Sequence, residues 1–152
     1  MNVQKLVNDV DLYRGEENEG KGSSILKGHV VGLYFSAGWC GPCRQFTPKL
    51  KRFYENVKKE GKKFEIIFIS VDREKEDCFE YYEEKMGKWL MMDYNLDDAQ
   101  SLKEQCSIQT IPSFKIVKSD GTIVVEDARS AVVDEGSDNP LALFEKWEQY
   151  AF

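Results

Sequence analysis

The chain has 152 residues, enough for one domain whose core buries roughly 70% of the unfolded surface without help from disulfides. Its charge is 21 − 27 = −6, which argues against a nucleic-acid or anionic-membrane surface. No apolar run approaches the roughly 20 residues that span a bilayer, and the opening "MNVQKLVNDVDLYRGEENEG" has no apolar stretch of signal-peptide type, so a cytoplasmic, or else nuclear, setting is expected.

Taken in chain order, residues 15–24, "GEENEGKGSS", read as a turn or exposed loop between Val10–Arg14 and Ser24–Lys27, forming a hairpin. Val30–Ala37 and Phe64–Val71 are nearly unbroken apolar runs, as expected of strands buried on both faces of a parallel sheet. Between them Phe46, Leu50, Phe53 and Val57 recur at helical spacing, and the helix should end near Gly61. Strand, helix and strand form a right-handed βαβ unit. Pro48 inside this helix removes a hydrogen bond and predicts a kink.

A second helix is expected over 74–86, with Phe79, Tyr82 and Met86 on its apolar face, and a short strand over Trp89–Met92. A third helix should start near Asp97 as N-cap, with Ala99, Leu102 and Cys106 on one face. "SFKIVK" and "TIVVED" flank Asp120-Gly121 and predict a hairpin. Residues 134–138, "DEGSD", read as a solvated loop. Asn139 then caps a last amphipathic helix with Pro140 at its first position, and Phe144 and Trp147 belong to the core. The fold class is α/β, a central mixed sheet with helices on both faces, in a single domain over 1–152.

The chemistry centres on Cys40 and Cys43. Three apart at a helix start, they share a face, and their sulfurs can meet. Cys40 lies at the end where free N–H groups and the helix dipole favour an anion, so its pKa should be lowered. Cys43, one turn in, is better shielded. This assigns Cys40 as the nucleophile that forms a mixed disulfide, and Cys43 as the thiol that resolves it. Gly41 and Pro42 let the chain turn sharply while fixing one φ angle. A zinc site would need four ligands, and only Cys78, Cys106 and His29 are left to add to the pair, so no metal is expected. A structural disulfide closing so small a loop would add little stability, and structural disulfides are rare inside cells. A redox-active pair is the reading retained.

Trp39–Cys43, "WCGPC", resembles the thioredoxin superfamily signature, and Ile111-Pro112 resembles that family's second mark. The resemblance implies a thioredoxin-like fold, a cis-proline facing the sulfurs, and a backbone edge at Ile111 where a substrate peptide docks as an added strand. "YFSAGWCGPCRQFTPKLKRFYE" and "DARSAV" around Arg129 are similar to the tryparedoxin and nucleoredoxin branch, over about residues 10–135. That branch usually has a proline where Gly41 stands, and a Pro-Trp where this chain has "MGKWL". Thioredoxins carry a buried Asp and a Lys at the positions of Tyr34 and Phe68, so the base that takes the Cys43 proton is unassigned.

Other residues admit two readings. Trp39 is a partly exposed cover that contacts substrate, or a core Trp. Arg44 supports a thiolate, or is solvated. Arg129 and Asp72 lie where the branch contacts substrate; Arg129 is otherwise a surface residue, and Asp72 a strand-end cap. Arg73 reverses the charge tryparedoxins tend to show, which counts against a glutathione–spermidine conjugate as reductant. Cys106 reads as a buried inert thiol, Cys78 as buried or as exposed and regulatory, and His29 as a surface residue.

The expected function is reduction of protein disulfides. The alternatives are a redox-regulated protein-binding module of nucleoredoxin type, or a disulfide isomerase. No bound cofactor is needed, because the electrons travel as thiols. The partners expected are disulfide-bearing proteins and an upstream thiol reductant of unknown identity, with the chain a monomer that binds neither nucleic acid nor membrane.

Overall fold

The two apolar runs lie side by side at the centre of the fold. The computed structural model describes residues 1–152. Strands β3 (Val30–Ser36) and β4 (Phe64–Ser70) pair in parallel, from Val30 opposite Phe64 to Ser36 opposite Ser70, and every residue of both is buried. Around them are β1 (Asp11–Arg14), β2 (Glu17–Lys21), β5 (Leu90–Met92), β6 (Ser113–Val117) and β7 (Ile123–Val125). The seven strands make one mixed sheet in the order β2-β1-β5-β4-β3-β6-β7.

Because side chains alternate along a strand, β3 and β4 feed two cores. Tyr34, Phe64, Ile66 and Phe68 face one side, with helices α3 (Gly41–Lys59), α4 (Lys75–Lys85) and α7 (Pro140–Ala151). Leu33, Phe35, Ile67 and Ile69 face the other, with α1 (Val3–Asn8) and α5 (Leu96–Gln105). Two four-residue helices, α2 (Gly22–Ile25) and α6 (Ala128–Ala131), complete the fold. Helices on both faces of a mixed sheet match the expected class. Phe144 and Trp147 of α7 are 0% and 1% exposed, and Asn139 caps that helix by accepting the Ala142 N–H.

Several expectations shift. The first hairpin turns within Gly15–Glu16, and β2 occupies part of the stretch read as loop. The cap of α5 is Asn95, whose side chain accepts the Asp98 N–H, not Asp97. Val132–Gly136 is a π-helical turn in which Gly136 packs against Phe53 and Val132, so part of "DEGSD" is not free loop. The buried face of α4 is Cys78, Tyr81 and Tyr82, while Phe79 is only half-buried. Pro48 does not divide α3; it and Arg44, whose carbonyl loses a donor, lie at exposed positions where water can replace the bond.

Candidate active site

Antiparallel pairing of Phe35 with Ser113 brings the loop after β3 beside the turn that enters β6. Cys40 is therefore next to Ile111 and Pro112. It is the N-cap of α3: its backbone is extended, and its Sγ accepts the Cys43 N–H at 3.3 Å, a role an oxygen usually fills. Its Sγ also lies 3.8 Å from the Ile111 carbonyl oxygen, to which the thiol donates. The Ile111–Pro112 peptide bond is cis. Cys40 and Cys43 are both free thiols, 6% and 0% exposed.

The other three thiols are all held protonated by burial. Burial, then a hydrogen bond with Cys40, pushes Cys43 up to about 12, while Ser36 and the Ala37 backbone pull the other way. Burial pushes Cys78 up to about 11 and also raises Cys106. Cys78 is 0% exposed, so the exposed, regulatory reading of that residue does not hold.

The rim of the site is exposed. Trp39 is 63% exposed, which removes the reading of a core tryptophan. Gly41 and Pro42 form the exposed first turn of α3, and a Cβ on Gly41 would meet no atom within 4 Å. Arg129 donates from Nη1 to the Pro112 carbonyl at 3.2 Å and borders a groove of about 560 Å³ with Ser113, Lys115 and Glu126. The Arg44 guanidinium grips the loop before the pair: its Nη1 donates to the Gly38 carbonyl at 2.9 Å. Gly38 is clamped from the other side by Asp72, whose Oδ1 accepts the Gly38 N–H at 2.9 Å and whose Oδ2 accepts the Ser70 hydroxyl at 2.8 Å. The sequence reading had Asp72 as a strand-end cap; the structure adds that it braces the loop carrying Trp39. Its carboxyl is raised by burial. His29 is half-buried, with Nδ1 against the Lys27 carbonyl.

Sequence reasoning missed a buried hydroxyl cluster behind Cys43. Thr47 Oγ1 donates to the Cys43 carbonyl at 2.9 Å and is 2.7 Å from both Tyr34 Oη and Tyr81 Oη; Tyr81 Oη is in turn 2.8 Å from Ser36 Oγ. Of the four, only Tyr34 stands out in the sequence, at the position where thioredoxins carry a buried Asp. No group of three or more His, Cys, Asp or Glu side chains is placed to hold a metal ion.

A family model described as thioredoxin-like matches residues 28–123. The chain belongs to the thioredoxin-like family. Probable nucleoredoxin 1 of Arabidopsis thaliana is 36% identical over 130 residues, covering 86% of this chain and 22% of that protein. The chain spans about a quarter of the length of the curated relatives it matches. Among solved structures, thioredoxin from Wuchereria bancrofti is 39% identical with a TM-score of 0.76, covering 93% of this chain and 95% of that one. Tryparedoxin II from C. fasciculata is 31% identical with a TM-score of 0.77, covering 89% and 88%. The chain thus falls in the tryparedoxin/nucleoredoxin-like branch of a superfamily of redox proteins. No helix is long and apolar enough to cross a membrane.

Proposed function

We propose that residues 1–152 act as one thioredoxin-like domain, a protein-disulfide reductase working by dithiol–disulfide exchange. The observation that carries this reading is the placement of Cys40: its sulfur caps α3 by accepting the Cys43 N–H and faces the Ile111 carbonyl. A helix start favours the thiolate, and a thiolate is the attacking species. Cys40 attacks one sulfur of a substrate disulfide, forming a mixed disulfide and expelling the other as a thiolate, which takes a proton from solvent. Cys43 then loses its proton and attacks Cys40, closing the Cys40–Cys43 bond. The substrate's second sulfur leaves and takes up the equivalent proton. Two substrate thiols form as one protein dithiol is oxidised, and an upstream thiol returns the pair to the reduced state. No bound cofactor enters this scheme.

The substrate chain docks along Ile111 and Pro112, with Trp39, Gly41 and Pro42 as the exposed rim and Arg129 bounding the groove beyond. The expected partners are disulfide-bearing proteins in the cytoplasm or nucleus, met by a monomer. The test is to trap them. Cys43→Ser, exposed to cell lysate, should accumulate mixed disulfides through Cys40 that dithiothreitol releases; no such adducts, or adducts through Cys78 or Cys106, would sink the assignment.

A second reading, a binding module whose partner affinity follows the Cys40–Cys43 redox state, is favoured by the nucleoredoxin relatives and by the exposed Trp39. It predicts slow turnover and capture of a partner in one redox state only.

A further inference from the structure

Most of the Trp39 surface is free of contact, so the direction of its ring is set by the backbone that carries it. That backbone is a turn from Ala37 to Cys40, closed by the Cys40 N–H on the Ala37 carbonyl at 3.2 Å. Gly38 and Trp39 are its two central residues. Neither has a positive φ, which excludes the type II form of the turn, in which the peptide between them is flipped.

Both polar groups of Gly38 are held from outside the turn. Its N–H donates to Asp72 Oδ1, and its carbonyl, which belongs to that central peptide, accepts from Arg44 Nη1, each at 2.9 Å. Asp72 follows β4 and is 1% exposed. Its Oδ2 accepts the Ser70 hydroxyl at 2.8 Å, its N–H donates to Ser70 Oγ at 3.0 Å, and its carbonyl accepts the Tyr94 hydroxyl at 2.6 Å. Every polar group of Asp72 is therefore bonded, and the grip is anchored in the sheet. Arg44 is the residue after Cys43 on α3, so its grip ties the turn to the helix that carries both sulfurs. Gly38 is also pressed against α4, where a Cβ on it would lie 3.2 Å from the Tyr81 Cβ. Rotation of the central peptide breaks the Arg44 bond, and withdrawal of the turn breaks the Asp72 bond.

We propose that Asp72 and Arg44 are positioning residues for protein substrates: by holding the Gly38 peptide they fix the exposed Trp39 beside Cys40 in a stance ready for docking. The inference rests on the dithiol reading above, in which Trp39 belongs to the docking rim. The role requires no contact with either sulfur and no proton transfer. It is one of preorganisation: a substrate that must order the turn and the indole as it docks binds more weakly, by about three- to tenfold.

The test sets a protein disulfide against a small reagent. Reduction of insulin uses the docking rim, whereas alkylation of Cys40 by iodoacetamide does not. Asp72→Ala and Arg44→Met should each lower kcat/KM for insulin by about three- to tenfold, through KM, with the iodoacetamide rate within about twofold of wild type. Asp72→Asn, which keeps an acceptor for the Gly38 N–H without the charge, should recover most of the loss. A double-mutant cycle asks whether the effect runs through Trp39: in a Trp39→Ala background, Asp72→Ala or Arg44→Met should cost less than about twofold more. Four results overturn the positioning role alone: insulin kinetics within twofold of wild type in either single variant, the full additional loss in the Trp39→Ala background, an iodoacetamide rate that falls as far as kcat/KM, or Asp72→Asn as impaired as Asp72→Ala. If Asp72→Ala does not fold, Arg44→Met, a change at an exposed position, decides by the same kinetics and the same cycle. No turnover of insulin by the folded wild type overturns the dithiol reading, and this inference with it.

Discussion

Native-state alkylation should single out one of the four cysteines. The expectation follows from the surroundings of the others. Cys78 is moved from an ordinary 9.0 to about 11 and Cys43 to about 12. Each unit costs tenfold in thiolate, so near neutral pH the reactive form is scarcer than in an ordinary thiol by about a hundredfold at Cys78 and about a thousandfold at Cys43. Access sharpens the contrast, since both are 0% exposed. Cys106, 3% exposed and raised by burial, follows them in direction. Cys40 differs in kind: its sulfur accepts a backbone N–H at the start of a helix. Brief treatment with limiting iodoacetamide near pH 7.5, followed by peptide mass mapping, should place the first modification on Cys40, with Cys78 and Cys43 at least about a hundredfold slower. In urea the four should react alike. If native Cys78 or Cys106 reacts within threefold of Cys40, the reasoning from burial and capping is wrong.

Further outcomes follow from single positions. Asp72→Ala removes the acceptor for the Gly38 N–H and the Ser70 hydroxyl, and should cost about 2–3 kcal/mol by urea unfolding; a loss under 0.5 kcal/mol would mean the brace carries little. Gly41→Ala has open space at the first turn of α3, and should gain about 0.5–1 kcal/mol, whereas a Cβ on Gly32 would fall 2.4 Å from the Phe114 ring and should cost about 1–3 kcal/mol; thermal melts of the two variants moving in the same direction would contradict this. Cys78 has a folded pKa raised above its unfolded one, so its contribution is whole below about pH 9 and is lost as pH rises through about 11. Cys78→Ala should therefore flatten the alkaline fall in stability by about 2–3 kcal/mol, and an unchanged slope between pH 8 and 11 would refute the assignment.

The parts of this fold that could be read from the sequence are those with strong periodicity or chemistry. Val30–Ala37 and Phe64–Val71 are apolar throughout because both faces of β3 and β4 are covered, and α3 shows its buried stripe. Strand β2 was invisible because "ENEGK" has no apolar alternation; at the sheet edge it is held by backbone pairing to β1. The face of α4 was read in part: Tyr82 and Met86 are buried as expected and Phe79 packs at the edge of the same core, but Tyr81, bonded to the hydroxyls of Ser36 and Thr47, was missed. The placement of Cys40 and Cys43 at the start of α3 was legible from their spacing and from the helix pattern that follows. The cluster behind Cys43 was not, because Ser36, Thr47 and Tyr81 come from β3, α3 and α4 and meet only in the packed structure. Arg44 and Asp72 likewise turn out to grip Gly38, a contact that no local pattern announces.

Dithiothreitol-driven reduction of insulin disulfides, followed by turbidity in wild type and Cys40→Ser, tests the central assignment most directly. Disulfide exchange through Cys40 predicts clear turnover in the wild type and none above the dithiothreitol background in the variant. Equal rates in the two proteins, or no turnover by a folded and fully reduced wild type, would contradict it.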